Sequence, residues 1–237
     1  MTFPGNVTIS TTSPSQLTVV FESDRVIAVS KPAGQLVIPG RGPAAGPTLK
    51  AQADEHVGAP VFVVHRIDAA ASGLVLFAKD AEAHQALNTA FERREVVKRY
   101  LALVQGAVLT DRTINRPVKQ FGSGRVGVVR GGRPVITSFR VLERVGDDTL
   151  LEVNPKTGKR HQIRVHLYTI GHPILGDPLY GLPLPVGGVP RLMLHALALD
   201  LETAATGRLS LRAEPPAHFS SILEQRRGCS EERKGHG

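Results

Sequence analysis

The sequence predicts an α+β fold, because many short strand-like segments alternate with only a few helical ones. Residues 61–64 and 73–78 are continuous apolar runs, which are typical of strands that are buried on both faces. Asp80 precedes a segment, residues 81–91, in which apolar side chains recur at three- and four-residue intervals. This spacing, with Asp80 as the N-cap, predicts a helix.

The remaining segments extend this pattern along the chain. Strands are predicted at 17–22, 26–30, 100–104, 135–142, 149–153 and 192–201, with a hairpin in the glycine-rich segment 122–133. A short helix is predicted to follow Thr48. Another helix is predicted after the turn at 155–158, carrying Ile163, Leu167 and Ile170 on one face and ending at Gly171.

The chain of 237 residues is long enough for one large domain. Residues 1–15 are rich in Ser, Thr and Pro, which predicts a flexible lead-in. Residues 16–225 are predicted to form the folded domain, and the polar residues 226–237 a disordered tail. The single cysteine, Cys229, lies in that tail and is interpreted as an incidental thiol. One cysteine excludes an internal disulfide framework and a thiolate metal cage.

The composition points to a polyanionic partner. The formal net charge is +8 and the isoelectric point is about 10.1, and Lys and Arg side chains bind phosphates by releasing condensed counterions. No apolar run reaches the ~18–20 residues that span a bilayer, and residues 1–5 do not begin a signal peptide. We therefore expect a cytoplasmic protein that is not bound to membranes.

Two stretches place polar side chains beside predicted core elements. His65, Arg66 and Asp68 lie in a loop between two buried strands, where a side chain can face a cleft. An ion pair between Arg66 and Asp68 is the structural alternative there. On the helix after the turn at 155–158, His161 and Arg164 share a face with Tyr168, which a solvated polar face would also explain.

A metal site is not indicated. His161 and His166 are five residues apart, whereas two histidines that chelate one metal from a helix are four apart. No cysteine cluster accompanies them, so zinc is not expected. The other polar stretches favour structural roles when each is taken alone: 171–181 is typical of a turn, the Tyr in 98–100 of core packing, and 31–34 of a turn.

Together, these five stretches resemble the motifs of the RluA family of pseudouridine synthases. The matching segments are Lys-Pro-Ala-Gly from Lys31, His-Arg-Ile-Asp from His65, Lys-Arg-Tyr from Lys98, Thr-Gly-Lys-Arg-His-Gln-Ile-Arg-Val-His from Thr157, and Gly-His-Pro-Ile-Leu-Gly-Asp from Gly171. They occur in the family's order between about residues 17 and 219. The chain departs from the family at Ser30, Ile67, Ala69, Ala70, Ala71 and Lys159. The three alanines put in doubt how the Asp68 loop is braced and how tightly the RNA backbone is bound.

The resemblance implies a fold and an activity. The fold is the pseudouridine synthase fold, a mixed and mostly antiparallel sheet with flanking helices around a basic active-site cleft. The activity is the isomerisation of a uridine in ribosomal or transfer RNA after the nucleotide has flipped out of its stack. The reaction is redox-neutral, so no cofactor and no metal are expected, and we expect the enzyme to be a monomer.

The resemblance also assigns roles to residues. Asp68 is the catalytic carboxylate, acting either as a nucleophile or as a base on the sugar, and Arg164 pairs with it and orients it. Tyr100 packs against the uracil and takes or relays the C5 proton. Arg66 fills the vacated stack. The further substrate-side positions are His65, Lys31, Ile163 and His161, of which His65 is expected to organise the loop and Lys31 to contact RNA or brace the site.

Two other functions are compatible with the residues. A non-catalytic RNA-binding protein on the same fold is one, although it would have no reason to keep Asp68, Tyr100 and Arg164 together. A hydrolase that cuts an N-glycosidic bond with Asp68 is the other. Such enzymes usually pair two carboxylates, and only Asp177, in a turn, lies within the motif stretches.

Overall fold

The computed structural model describes residues 17–40, 46–122, 124–181 and 189–234, with side chains to residue 228. The strands are β1 (Thr18–Glu22), β2 (Val26–Lys31), β3 (Phe62–Val63), β4 (Ser72–Ala78), β5 (Val97–Val104), β6 (Arg112–Asn115), β7 (Val118–Gln120), β8 (Val126–Val128), β9 (Ile136–Val145), β10 (Asp148–Pro155), β11 (Leu194–Thr203) and β12 (Gly207–Arg212). The helices are α1 (Leu49–Val57), α2 (Ala81–Arg93), α3 (Gln162–Thr169) and α4 (Ala217–Lys234). The predicted lead-in at 1–15 lies outside the described residues.

Within the described residues, one ten-stranded sheet organises the chain. Its strand order is β1-β2-β4-β11-β5-β10-β9-β6, with β12 paired to β11 and β3 paired to β4, while β7 and β8 form a separate two-stranded sheet. The pairing of β4 with β11 is parallel, and the other pairings of the described strands are antiparallel. The predicted α+β fold with a mostly antiparallel sheet is confirmed.

The apolar run at 73–78 is buried on both sides, as its pattern predicts. Leu74 and Leu76 pack in one apolar cluster with residues of α2, whereas Val75 and Phe77 pack in another with residues of α1. Every residue of β4 is buried. Alternate side chains of a strand point to opposite faces, so the helices on the two faces of the sheet require apolar side chains at consecutive positions.

Helices α1 and α2 begin directly after Thr48 and Asp80, as the sequence predicts. The Thr48 side chain accepts a hydrogen bond from the Ala51 amide, and the Asp80 side chain accepts one from the Ala83 amide. Both are standard N-caps, which satisfy amides that have no partner within the helix. Gly171 follows α3 with φ +86°, as its predicted C′ position requires.

The structure differs from the sequence predictions at one strand and at the C-terminal boundary. The strand predicted at 61–64 is limited to Phe62–Val63. The boundary predicted at 226 does not mark an end of regular structure, because α4 continues to Lys234. Arg226 pairs with Asp148 at 3.0 Å and Arg227 pairs with Glu143 at 2.6 Å, so these two ion pairs hold the helix against β9 and β10 beyond its apolar part.

The loop that carries Asp68 leads directly into β4, where the chain approaches β11 very closely. Ser72 pairs with His195 and Gly73 pairs with Ala196 in the parallel register. Gly73 has φ +113°, and a Cβ atom at this position would lie 2.2 Å from the Ala196 carbonyl oxygen. Glycine is therefore required both by the backbone conformation and by the contact with β11.

We predict that Gly73→Ala destabilises the protein by about 3 kcal/mol or more, because it adds backbone strain to a steric overlap. Gly207→Ala is the matched control, since Gly207 has φ +66° and a Cβ atom added there would meet nothing within 4 Å. The control should lose only about 1 kcal/mol. Urea unfolding measures both, and equal losses would show that contact with β11 is not the constraint.

Candidate active site

Asp68 lies at the start of a tight turn that leads into β4. The Ala71 amide donates a hydrogen bond to the Asp68 carbonyl oxygen at 3.1 Å, which closes the turn. The Asp68 side chain is 21% exposed, and its Oδ2 accepts a hydrogen bond from the Arg164 guanidinium at 3.1 Å. The carboxylate is therefore anchored on one side and open to solvent on another.

Arg164 is the centre of the site. Its side chain is only 3% exposed, and its guanidinium joins Asp68 to Asp177. Nε donates to Asp177 Oδ2 at 2.8 Å and a terminal nitrogen donates to Asp177 Oδ1 at 2.8 Å. This bidentate pair fixes the plane of the guanidinium, and the plane in turn fixes the direction in which the remaining nitrogen reaches Asp68.

Asp177 is fully buried and is organised by its own turn. Its Oδ1 also accepts hydrogen bonds from the Leu179 and Tyr180 amides, at 2.9 and 3.1 Å. Burial alone would raise the pKa of Asp177, but the hydrogen bonds and charge of Arg164 hold that pKa below its usual value. Asp177 therefore remains a carboxylate that keeps Arg164 in place.

The polar face predicted for the helix at 161–168 is wrong. Arg164 is buried, and His161 precedes α3 in the left-handed backbone region, with φ +54°. Tyr168 is 52% exposed, so it does not share an environment with Arg164. The pattern fails because α3 is enclosed, and each residue from 162 to 167 is buried.

His161 lies on the side of Arg164 that faces the turn at 171–181. Its Nδ1 is 2.9 Å from the Tyr180 hydroxyl, and the imidazole is 8% exposed. Burial lowers the pKa of His161, and the nearby cations of Arg164 and Arg160 add to this effect against the opposing charges of Asp68 and Asp177. A neutral His161 shares one hydrogen bond with the Tyr180 hydroxyl through Nδ1, and the imidazole tautomer sets its direction.

Tyr100 lies in β5 with its ring between two apolar clusters, one around α3 and one around α1. Burial raises the pKa of Tyr100, and the charge of Asp68 raises it further. The phenol therefore stays protonated near neutral pH and is not an ionised base. This environment supports the predicted packing role more strongly than proton removal by a phenolate.

Lys31 is buried, with 1% of its surface exposed. Its Nζ donates to the carbonyl oxygens of Pro32, Gln35 and Ala69, at 2.7, 2.9 and 2.9 Å. The pKa of Lys31 is lowered to about 7, chiefly by burial; the charge of Asp68 opposes this shift and that of Arg191 adds to it. Of the two predicted roles, bracing fits this geometry, since the Ala69 carbonyl belongs to the Asp68 loop.

The two residues before Asp68 have contrasting environments. The His65 Nε2 accepts a hydrogen bond from the Leu76 amide at 2.9 Å, and the ring stacks on Phe91 at 5.0 Å between centroids. Burial lowers the pKa of His65 to about 3, so the ring is neutral and organises the loop. Arg66 is exposed and, among the described residues, has no ion-pair partner. The alternative Arg66–Asp68 pair is not formed.

Ile163 occupies the first turn of α3 and is 7% exposed. It belongs to the apolar cluster against which Tyr100 packs. The structure thus brings Asp68, Tyr100, Arg164 and Ile163 to one region, with His161 beside them and Lys31 behind the loop. His65 lies behind the loop as well, and Arg66 is left free at its surface.

Sequence reasoning missed the contribution of Asp177 and Tyr180, which it assigned to turn architecture. The available signal was a carboxylate in a segment rich in Gly and Pro, where the backbone is fixed and can hold a side chain rigidly. The partner of Asp177 is 13 residues away in the chain, so the pairing depends on the tertiary fold.

Among residues 17–40, 46–122, 124–181 and 189–234, no group of three metal-ligating side chains is present and no helix is long and apolar enough to span a membrane.

A family model described as RNA pseudouridylate synthase matches residues 25–169. The chain belongs to this family. The resemblance to the RluA family is thereby confirmed, and the family consists of isomerases that act on RNA.

Individual relatives agree with the family assignment. Ribosomal large subunit pseudouridine synthase D of Nitrosomonas europaea is 38% identical over 222 residues, covering 88% of this chain and 64% of that protein. The enzyme of the same name from Pseudomonas aeruginosa is 34% identical, covering 88% of this chain and 71% of its own length. The chain thus spans about two thirds of the length of these relatives.

The fold is shared with a solved human protein, RNA Pseudouridylate Synthase Domain Containing 1. The TM-score is 0.73 at 26% identity, and the match covers 91% of this chain and 87% of the human chain. The predicted pseudouridine synthase fold is therefore confirmed.

We predict that Asp177→Asn destabilises the protein by about 3–5 kcal/mol at pH 7, because it leaves a buried guanidinium without its carboxylate. Since the folded pKa of Asp177 lies below its unfolded value, the carboxylate stabilises the fold above about pH 4, and this contribution is lost as pH falls through the folded pKa. The difference between wild type and variant should therefore shrink in acid.

Asp200→Asn is the control, because Asp200 pairs with Arg99 while 31% exposed. We expect it to lose less than about 1 kcal/mol. Unfolding in urea at pH 7 and at acid pH measures all three proteins. A loss from Asp177→Asn no larger than that of the control would contradict a structural role for this carboxylate.

Proposed function

We propose that this chain isomerises uridine to pseudouridine in RNA, with Asp68 as the catalytic carboxylate. One observation carries the proposal: a partly exposed Asp68 is held by a buried arginine, which a second, fully buried carboxylate holds in turn. The Tyr100 ring lies nearby, since the charge of Asp68 acts on the Tyr100 phenol. An oriented carboxylate beside an aromatic surface is what a reaction at the sugar of a bound uridine requires.

The reaction replaces one bond to the sugar by another. The N1–C1′ bond breaks, the uracil turns while it remains bound, and C5 bonds to C1′. The proton on C5 then leaves, and N1 gains a proton. Asp68 can assist at the sugar in either of two ways, by attacking as a nucleophile or by removing a sugar proton as a base. Both need a carboxylate whose direction is fixed before the substrate arrives.

The other residues support this step without sharing its chemistry. Tyr100, protonated and packed against apolar side chains, offers its face to the uracil, and a bound water is the proposed acceptor of the C5 proton. The exposed Arg66 is free to enter the stack that the target nucleotide leaves. Ile163 lines the apolar side of the same region.

The environment of Asp177 disfavours a hydrolase that cuts an N-glycosidic bond. Hydrolysis of a glycosidic bond commonly uses a second carboxyl group, either to activate water or to protonate the leaving group. Asp177 is fully buried, and both of its oxygens accept hydrogen bonds from Arg164. It is therefore not available to water or substrate. The non-catalytic alternative is disfavoured because the complete Asp68–Arg164–Asp177 arrangement is retained.

We propose large-subunit ribosomal RNA as the substrate and the cytoplasm as the location. The relatives from Nitrosomonas europaea and Pseudomonas aeruginosa are named for this subunit, which favours it over transfer RNA. The basic composition, with a net charge of +8, suits a structured polyanion of either kind. A single copy of the chain is proposed to act alone.

The test is to incubate an unmodified large-subunit ribosomal RNA transcript with the protein and to quantify pseudouridine and free uracil by mass spectrometry. Pseudouridine without free uracil supports isomerisation. Free uracil would identify a hydrolase, and binding without either product would identify an RNA-binding protein.

We predict that Asp68→Asn abolishes pseudouridine formation in this assay, because an amide neither attacks C1′ nor removes a sugar proton. The amide oxygen can still accept from Arg164, so the melting temperature and RNA affinity should stay close to those of wild type. Asp54→Asn, on α1, is a control outside the site and should retain turnover. Measurable turnover by Asp68→Asn would remove Asp68 from the chemistry.

A further inference from the structure

The segment between Asp111 and Glu143 has an unusual charge pattern. It contains seven basic residues and no acidic residue. Its central part, which we call the basic arm, consists of β7, β8 and the turn that returns through Arg133. Lys119, Arg125, Arg130 and Arg133 on the arm are all exposed.

The cations of the arm differ from several, though not all, of the other surface cations of the described chain. Arg25, Lys50, Lys79, Arg99 and Arg140 each pair with a carboxylate elsewhere on the molecule. No ion pair in the described residues involves the four cations of the arm. A cluster of exposed cations that no carboxylate of the described residues neutralises is available to a polyanion, and it raises the local concentration of one.

The arm has a defined shape that presents these charges. The Val118 amide donates to the Arg133 carbonyl at 2.9 Å and the Arg133 amide donates to the Val118 carbonyl at 2.8 Å, so the returning turn lies against β7. Phe121 is 45% exposed at the tip and contacts the position of Gly127 on the opposite strand. An exposed aromatic ring among cations suits RNA, which offers both phosphates and base faces.

One tyrosine fastens the arm to the active site. The Tyr180 hydroxyl accepts a hydrogen bond from the Val126 amide of β8 at 2.8 Å and shares a second hydrogen bond with His161 Nδ1 at 2.9 Å. The Arg125 guanidinium lies over the Tyr180 ring at 5.9 Å and donates to the Leu179 carbonyl. Tyr180 is 4% exposed, so these contacts are sheltered from water.

The same tyrosine belongs to the turn that holds the catalytic ion pairs. The Tyr180 amide donates to Asp177 Oδ1 at 3.1 Å, and the Arg164 guanidinium lies 5.2 Å from the centre of the Tyr180 ring. Tyr180 thus contacts the arm through its hydroxyl and the Asp177–Arg164 pair through its backbone and ring. A displacement of the arm acts on the residue that helps to fix the direction of Arg164.

We propose that the basic arm is a contact surface for the substrate RNA and that Tyr180 is a positioning residue that couples this surface to the Asp68–Arg164–Asp177 arrangement. The RNA phosphates lie along the cations of the arm, and the docked arm keeps Tyr180 and its turn in the catalytic position. The proposal rests on the proposed function for its substrate. It adds the surface that binds the RNA and the residue through which that surface affects the rate.

The first experiment tests the surface. Lys119→Gln/Arg130→Gln is compared with Arg144→Gln/Arg208→Gln, which removes equal charge from β9 and from β12. Affinity for an in vitro transcript of large-subunit ribosomal RNA is measured over a range of salt concentrations. The arm variant should bind about tenfold more weakly near physiological salt, with a salt slope lower by about 1.5, while the control stays within about twofold of wild type. Equal losses in both variants would overturn the assignment of the surface.

The second experiment tests the coupling. Tyr180→Phe keeps the ring and removes the hydroxyl that joins Val126 to His161. At saturating transcript, kcat should fall about tenfold while KM stays within about twofold, which is the pattern of a residue that positions catalytic groups without binding substrate. Hydrogen exchange should accelerate in residues 118–128 and remain slow in β4 and β11. An unchanged kcat, or a rise in KM alone, would overturn the coupling.

A second variant covers the case in which Tyr180→Phe also loosens the core strands. Val126→Pro removes the amide donor from the arm and leaves Tyr180 and His161 in place. It should reproduce the loss of kcat with core exchange unchanged, and a wild-type kcat in this variant would contradict the proposal.

The proposed function and the role of the basic arm can be contradicted separately. If wild type forms no pseudouridine, the proposed function fails, whereas the arm is still judged by the affinity comparison and by protection of residues 118–128 when the transcript binds. If the arm variants behave like their controls while wild type forms pseudouridine, this inference alone fails.

Discussion

The active site depends on one arginine that two carboxylates hold from opposite sides. Arg164 is almost fully buried, and its bidentate pair with Asp177 fixes the orientation of the guanidinium before any substrate binds. The remaining nitrogen reaches Asp68, whose side chain is open to solvent. Asp177 therefore compensates the buried positive charge, while Asp68 stays available for chemistry. Without Asp177, the same arginine would keep only its single hydrogen bond to the partly exposed Asp68, and the direction of Asp68 would be poorly defined.

The sheet fixes the position of the loop that carries Asp68. The Asp68 loop enters β4 at a point where Gly73 lies against the backbone of β11, and Lys31 at the end of β2 holds the Ala69 carbonyl. Three strands thus limit the positions that the loop can adopt. This support is relevant because Ala69, Ala70 and Ala71 replace the residues usual in the family. The bracing here comes from backbone contacts and from Lys31, and these alanines offer no polar side chain to it.

Much of the fold and part of the site could be predicted from local patterns. Asp80 with the spacing of Ala83 and Leu87 defined α2, and the unbroken apolar run of β4 indicated burial on both faces. Residues with distant partners were harder to predict. Asp177 looked like part of a turn because its role arises only when the turn meets α3. The sequence pattern also placed His161 on a helix that in fact begins at Gln162, since periodicity does not report backbone conformation. The apolar positions Phe219, Ile222 and Leu223 of α4 cover a single turn before charged residues follow, so the pattern predicts a tail from residue 226 although the helix continues.

The most direct test of the account is the single-turnover rate of Arg164→Lys on the large-subunit ribosomal RNA transcript. Lysine keeps the charge beside Asp68 but cannot form the bidentate pair with Asp177 and reach Asp68 at the same time. If orientation by a doubly held guanidinium is the essential constraint, the rate should fall by about a hundredfold or more while RNA affinity stays within about twofold. A rate within about threefold of wild type would show that positive charge alone suffices, and it would contradict the central role given to this geometry.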